Sequence, residues 1–335
     1  MRADGVTLAI DIGASRSRLA LVDVGAIGAR SERATADLVG LDGTITAGLV
    51  AEAVTMHRNA GSPGLRAIGV GVAASVSPAG MVLQEREFGI PAGPAIRDAL
   101  AAAFGVLVLV DNDANLAALA EHRRGAARGE EHAAVITLGT NIGLGLILGG
   151  RVYRGARGAA GEIGLLLVPA ESTAQQPVDA RLVDAGRFGR AFSRAPDGYA
   201  WIEELVGGGA LATAAGGTHP RVFAPDALAE PSIRQLSDHA IEGWSMAIAD
   251  LAVLLDPGVV ILTGGVASDA APLLNALQRR VAELAGFPVE IRLGSLGPDA
   301  ELLGADLLAV ASLDGETADN DAGAGLSAQI AGGWR

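Results

Sequence analysis

Three polar residues, Asp111-Asn112-Asp113, stand directly after the aliphatic run Val106–Val110. One of the three is enough to cap a helix starting there, because Asp and Asn are favoured helix caps. The other two exceed that need. Asp113 is placed to take a proton from a substrate hydroxyl as a general base. Asn112 carries both a donor and an acceptor, which suits a polyol. A second carboxylate lies in Asp11-Ile12-Gly13-Ala14-Ser15-Arg16, where small side chains let backbone N–H groups approach an anion. A carboxylate there repels a bare phosphate but suits a phosphate-bound Mg2+. An ordinary hairpin accounts for that motif equally well. Gly139-Thr140-Asn141-Ile142-Gly143 is a similar turn, with a hydroxyl donor at Thr140. Gly264-Gly265 follows the apolar run Val259–Leu262, at the kind of strand end where open α/β sheets bind ligands. Each turn is a weak signal alone, but a nucleotide needs several such close backbone approaches. Glu162 sits among the small residues of Gly158–Gly164, and Glu203 opens the helix-like Trp201–Val206, where a first-turn acid is commonplace.

The elements that must position these residues alternate between strand and helix, the pattern of an α/β protein. Val6–Ile10 reads as a strand, with Arg18–Val24 as its return partner. Ile45–Asn59 and Ala95–Phe104 read as helices, and Ala67–Ala73 and Val106–Val110 as strands. A helix is expected from Ala114 to Arg124. The opening pattern then recurs: strand Ala133–Leu138, a small-residue turn, strand Gly145–Leu148. Ile10-Asp11-Ile12-Gly13 falls on Ile136-Thr137-Leu138-Gly139, which suggests two related lobes, although short apolar strands also match by chance. Gln235–Leu255, Ala271–Ala285 and Glu301–Leu313 read as helices, Val259–Leu262 and Val289–Leu293 as strands. Two lobes are expected, 1–113 and 114–299, with a last helix at 300–313 packing back on the first. Pro169–Arg194 is polar and irregular, and 314–335 is expected to be an unstructured tail.

Composition narrows the chemistry. The 335 residues carry a formal charge of −13, which argues against a nucleic-acid or anionic-membrane partner. Cysteine is absent, which removes thiolate zinc sites and Cys nucleophiles. Lysine is absent too, so neither a Schiff base nor a lysine-dependent phosphate loop is available. No two histidines share metal-ligand spacing, so no zinc is expected. The N-terminus leads straight into a strand and no apolar run has membrane-spanning length, so the expected location is the cytoplasm.

Taken together, the motifs resemble the ROK family of sugar kinases and sugar-responsive regulators, from about Val6 to Leu313. Asp11–Arg16 looks like the family's D-x-G-G-T-K phosphate motif. Asp111–Glu121 resembles its E-N-D-A-N-x-A-A-L-x-E motif. Leu138–Gly143, with Tyr153–Ala156 and Gly158–Gly164 behind it, is similar to the second phosphate motif and the sugar-binding G-A-A-G-E-I-G. Asp256-Pro257 with Val260–Val266 resembles the adenosine motif, and Leu296-Gly297 with Leu303-Gly304-Ala305 the closing one.

The resemblance implies an actin/hexokinase-like α/β fold of duplicated ribonuclease-H-like lobes, with ATP in the cleft between them. It implies Asp113 as base on a sugar hydroxyl, with Asn112, Glu162 and Glu203 contacting other hydroxyls. It also implies Asp11 near Mg2+, phosphates on Gly13, Ser15, Arg16, Gly139, Thr140 and Gly143, and adenosine against Gly264 and Gly265. A small-molecule sugar is the expected partner, and a homodimer the expected assembly. Several positions depart from the family pattern. Leu165 stands where the family has His, and the zinc-binding Cys loop is missing. Ala14 replaces one glycine, and Asn141 and Leu144 replace others beside the second turn. Leu144 is expected to disturb that turn most. With few residues before the first strand, the DNA-binding extension of the family's regulators is not expected. The expectation is an ATP-dependent kinase of a hexose or hexose-like sugar. A non-catalytic sugar- or nucleotide-binding protein that kept the fold is the alternative.

Overall fold

A computed structural model describes residues 5–84, 89–169, 199–215, 223, 229–269 and 271–313. The expected tail at 314–335 and nearly all of Pro169–Arg194 lie outside the described residues.

The first strands are β1 (Val6–Ile12), β2 (Arg16–Asp23) and β3 (Ala26–Ala34), followed by α1 (Thr46–Asn59), β4 (Leu65–Val72), α2 (Ala95–Phe104) and β5 (Leu107–Asn112). Helix α3 (Asp113–Arg124) leads to β6 (Ala133–Leu138), β7 (Ile142–Leu148) and β8 (Arg151–Tyr153). After the short β9 (Leu167–Pro169) and β10 (Tyr199–Trp201) come α4 (Ile202–Val206), α5 (Gly208–Ala214) and the long α6 (Pro231–Leu255). Strand β11 (Val259–Thr263), α7 (Gly265–Asp269), α8 (Leu274–Ala285), β12 (Ile291–Leu293) and α9 (Ala300–Leu313) complete the described chain. The apolar strands fall close to their expected places. The polar β3 was not legible, since Ala26–Ala34 carries no apolar alternation.

Two five-stranded sheets share one topology. Their orders are β3-β2-β1-β4-β5 and β8-β7-β6-β11-β12. In the first, β1 runs antiparallel to β2 and parallel to β4, which runs parallel to β5. In the second, β6 runs antiparallel to β7 and parallel to β11, which runs parallel to β12. Gly13 follows β1 directly and Gly139 follows β6 directly, so the sequence repeat coincides with a repeat of strand order.

The residues fall into two compact units. One takes in the chain to Ala120, Arg151–Ala160 and the stretch from Asp299; the other takes in Glu121–Gly150 and Gly161–Pro298. In the first unit Leu8, Ile10, Ile12, Ile68, Val70, Val72, Val108 and Val110 form one core with Leu49 and Met56 of α1 and Ile96 and Leu100 of α2. Helix α9 packs against β1 and β4. It can approach closely because Gly69 has no side chain: a methyl there would run into the carbonyl of Ala305. In the second unit the strands share a core with Trp244, Ile248 and Leu251 of α6 and Leu277 and Val281 of α8. Proline at its first position starts α6, and Asp256, in the left-handed region at φ 44°, ends it.

Leu144 belongs to this second core. It is 5% exposed and pairs with Ile136 across the β6–β7 ladder. The expected disturbance of the phosphate turn is therefore not what its position implies. Strand alternation sends Ile142, Leu144 and Leu146 inward together.

Candidate active site

Strand β5 extends through Asp111 and Asn112, and α3 starts at Asp113. The cap is Asn112, whose Oδ1 accepts the Asn115 N–H at 3.1 Å. Its amide nitrogen donates to the Ala74 carbonyl at 3.2 Å and keeps a second hydrogen. Asp113 is half-buried, and its Oδ1 accepts the Ala114 N–H at 2.8 Å. Asp111 is 3% exposed and faces Arg154, whose Nε and Nη2 reach its Oδ2 at 2.8 and 2.7 Å.

Asp11 lies inside β1 rather than after it, directly opposite Arg18 on β2. Arg18 donates to Asp11 Oδ2 from Nε at 3.0 Å and from Nη2 at 2.7 Å, and from Nη2 to Glu301 Oε2 at 3.1 Å. A buried and a half-buried carboxylate thus share one guanidinium. Burial pushes the Asp11 carboxyl above its usual range, against the pull of Arg18. Burial, helped by the Asp11 charge, pushes Glu301 up from 4.5 to about 7, with Arg18 opposing.

The folded chain therefore holds the Glu301 proton more tightly than the unfolded chain does. The stability this contributes is fully present below pH 4.5 and declines as pH rises toward 7, by up to ~1.4 kcal/mol per pH unit. Glu301→Gln should remove that decline. Thermal melts of both proteins across this window check it, and equal slopes would refute it.

Gly71 lies between the Asp11 carboxylate and the backbone of Asp113. A side-chain carbon on Gly71 would sit 3.6 Å from the Asp113 Cα and 3.7 Å from Asp11 Oδ1. The nearby turn is braced by Thr35, whose hydroxyl donates to the Gly13 carbonyl at 2.7 Å and whose N–H donates to the Ser15 carbonyl at 3.0 Å. Ser15 and Arg16 are exposed, and Arg16 pairs with Glu32 at 3.2 Å.

In the second unit, the N–H groups of Gly208 and Gly209 donate to the carbonyls of Gly139 and Thr140 at 3.0 and 2.9 Å. Glu203 Oε2 accepts the Ile142 N–H at 2.9 Å, and a side-chain carbon on Gly164 would sit 2.8 Å from that oxygen. Glu203 therefore lies against both the turn and the loop that carries Glu162. Gly143 falls within β7, opposite Thr137. Gly264 has φ +95°, and a side-chain carbon there would be 2.6 Å from the Leu138 carbonyl oxygen, so only glycine fits. Gly265 starts α7 and faces open space.

Sequence reasoning missed Arg18, Thr35, Arg154 and Glu301. Only Arg18 was recoverable, because a hairpin closed at Gly13–Arg16 puts it opposite Asp11.

A comparison with known proteins matches the ROK family over residues 7–312. The chain belongs to the ROK family. The bifunctional enzyme NanE/NanK of Brucella melitensis biotype 1 is 34% identical over 217 residues, 63% of this chain and 37% of that one. The first curated relatives are matched over 36% to 62% of their own length. Among solved structures, the ROK hexokinase of Thermus thermophilus is 29% identical with a TM-score of 0.65, covering 92% of this chain and 99% of that one. The ROK family glucokinase of Streptomyces griseus, solved with glucose and AMPPNP, is 24% identical with a TM-score of 0.72. It covers 91% of this chain and 99% of that one. The fold of this ROK protein is the actin/hexokinase-like α/β fold. No described helix is long and apolar enough to cross a membrane.

Proposed function

We propose that this chain is a sugar kinase that transfers the terminal phosphoryl group of ATP to a hydroxyl of a hexose or hexose-like sugar. The observation that carries the reading is the approach of the Asp11 carboxylate and the Asp113 backbone to Gly71, which brings a carboxylate beside a phosphate-type turn close to the helix start that bears Asp113. Asp113 accepts the proton of the sugar hydroxyl as its oxygen attacks phosphorus, and ADP leaves. Asn112, Glu162 and Glu203 hold other hydroxyls. Gly13, Ser15, Arg16, Gly139, Thr140 and Gly143 receive the phosphates, and Gly264 and Gly265 lie against adenosine. Such transfers ask a protein mainly for positioning and charge stabilisation.

Mg2+ fits this donor set in a supporting place. Arg18 holds Asp11 Oδ2, while Oδ1 lies toward Gly71. Among the described residues no cluster of three His, Asp or Glu side chains could hold a metal alone. Mg2+ commonly needs only one or two carboxylates beside the phosphates, and Asp11 would hold it or its waters. When bound, it neutralises charge on the phosphate oxygens.

The same Arg18 contact supports the second reading, a sugar- or nucleotide-binding protein without turnover, because it spends much of the Asp11 charge. A panel of hexoses and N-acetylhexosamines with Mg·ATP, followed by ADP release, separates the two. Release with none of them, alongside tight sugar binding, favours the second.

Gly265→Ala tests the adenosine place. Open space at Gly265 means that stability should change by less than about 0.5 kcal/mol. Mg·ATP binding by calorimetry should weaken about tenfold, ~1.4 kcal/mol. Unchanged affinity would put the base elsewhere.

A further inference from the structure

We propose that Arg154 is a positioning residue for Asp113, acting through the buried carboxylate of Asp111; this rests on Asp113 as the base. The cap of α3 is already supplied by Asn112, so Asp111 is not needed to start the helix. A buried carboxylate is costly to keep unless it is paired and its oxygens are satisfied. Both conditions are met here. Oδ2 takes two nitrogens of Arg154, and Oδ1 accepts the Asn112 N–H at 2.8 Å and the Asn115 amide at 3.1 Å. The residues on either side of Asp113 are thus tied to one carboxylate whose direction is set by one guanidinium.

Arg154 is itself fixed. Its carbonyl accepts the Ala160 N–H at 3.1 Å, and its side chain is 12% exposed. Gly158, at φ +83°, lies so close to Val76 that a methyl would strike the Val76 carbonyl. The neighbouring Ala74 carbonyl receives the Asn112 amide. The segment that brings Arg154 therefore rests on the chain that also holds Asn112, and it runs on directly into Glu162. A planar fork delivering two nitrogens defines a direction that a lysine ammonium does not.

In the first unit the pair Asp111–Arg154 starts two residues before Asp113, and Asp11, which shares Arg18 with Glu301, approaches the Asp113 backbone at Gly71. Changing one partner of the Asp111–Arg154 pair shifts the balance in a known direction. Removing Arg154 leaves a negative charge near Asp113 and raises its pKa; neutralising Asp111 leaves a positive charge and lowers it.

The experiment compares wild type, Arg154→Gln, Arg154→Lys, Asp111→Asn and the Asp111→Asn/Arg154→Gln double variant. Steady-state kinetics use Mg·ATP and glucose, or whichever panel sugar is turned over, across about pH 5–9. The Asp113 carboxyl is followed by NMR titration on the same proteins, with melts to confirm folding. We expect Arg154→Gln to lose about tenfold or more in kcat with the ATP KM nearly unchanged, and Arg154→Lys to recover part of it. The acid limb and the Asp113 titration should move up in Arg154→Gln, down in Asp111→Asn, and back in the double variant. Displacement in the same direction in both, or no displacement with kcat tracking the folded fraction, overturns the proposal. If Asp113→Asn turns over like wild type, the base assignment fails instead. The NMR titration still reads the Arg154 effect in a protein without turnover.

Discussion

Asp113→Asn is expected to cut turnover by about 10²–10⁴-fold while the protein keeps its fold and much of its sugar affinity. The structural half of this rests on the division of labour at the start of α3. Asn112 caps the helix, and Asp113 Oδ1 accepts the Ala114 N–H, a contact that an asparagine oxygen takes over. The chemical half rests on the amide, which cannot receive a hydroxyl proton. Paired measurements of sugar binding by calorimetry and of ADP release decide it. A variant that binds sugar and turns over like wild type rules Asp113 out as base. A wild type that binds sugar but never yields ADP returns the question to the Arg18–Asp11 contact.

Gly69→Ala is expected to give the largest loss of stability. Gly69 is in the middle of β4, opposite Ala9 on one side and Leu109 on the other. The added methyl meets the backbone of Ala305, and α9 cannot simply slide away. On a neighbouring face of α9, Gly304 lies so close to Leu116 of α3 that a methyl there would strike the Leu116 carbonyl. Overpacking costs about 1–3 kcal/mol where side chains can move, and backbone contacts on two faces of α9 put this site at about 3 kcal/mol or more. For a unit of this size that lowers Tm by about 6–12 °C. Calorimetry showing a shift below about 2 °C would mean that α9 does not seat at Gly69.

Much of this was legible in the sequence because it is local. The repeat of strand, Gly-led turn and strand shows at Gly13 and Gly139 since both halves use short aliphatic runs with the same period. The Asp111–Asp113 cluster announces itself by standing after five aliphatic residues. What failed was of two kinds. Leu144 was judged by its distance along the chain from a turn, when strand alternation decides which face it takes. Thr35 and Arg154 act across 22 and 43 residues, and no local pattern in a single sequence marks such pairs. Three adjacent polar residues also do not say which one caps α3, and the structure gives that part to the Asn112 oxygen.

The place of α9 in the first unit also orders the unit's assembly in time. Its core strands and α1 and α2 are complete by residue 112, but the helix that covers the other face of β1 and β4 begins at Ala300. The ribosome makes about 5–20 residues per second, so about 10–40 s separate the sheet from its cover. Throughout that interval the face bearing Asp11 and Gly69 has no α9 over it. The second unit, drawn almost entirely from the chain between Glu121 and Pro298, is fully synthesised before the first can close. The half that begins the sequence is the half that finishes last.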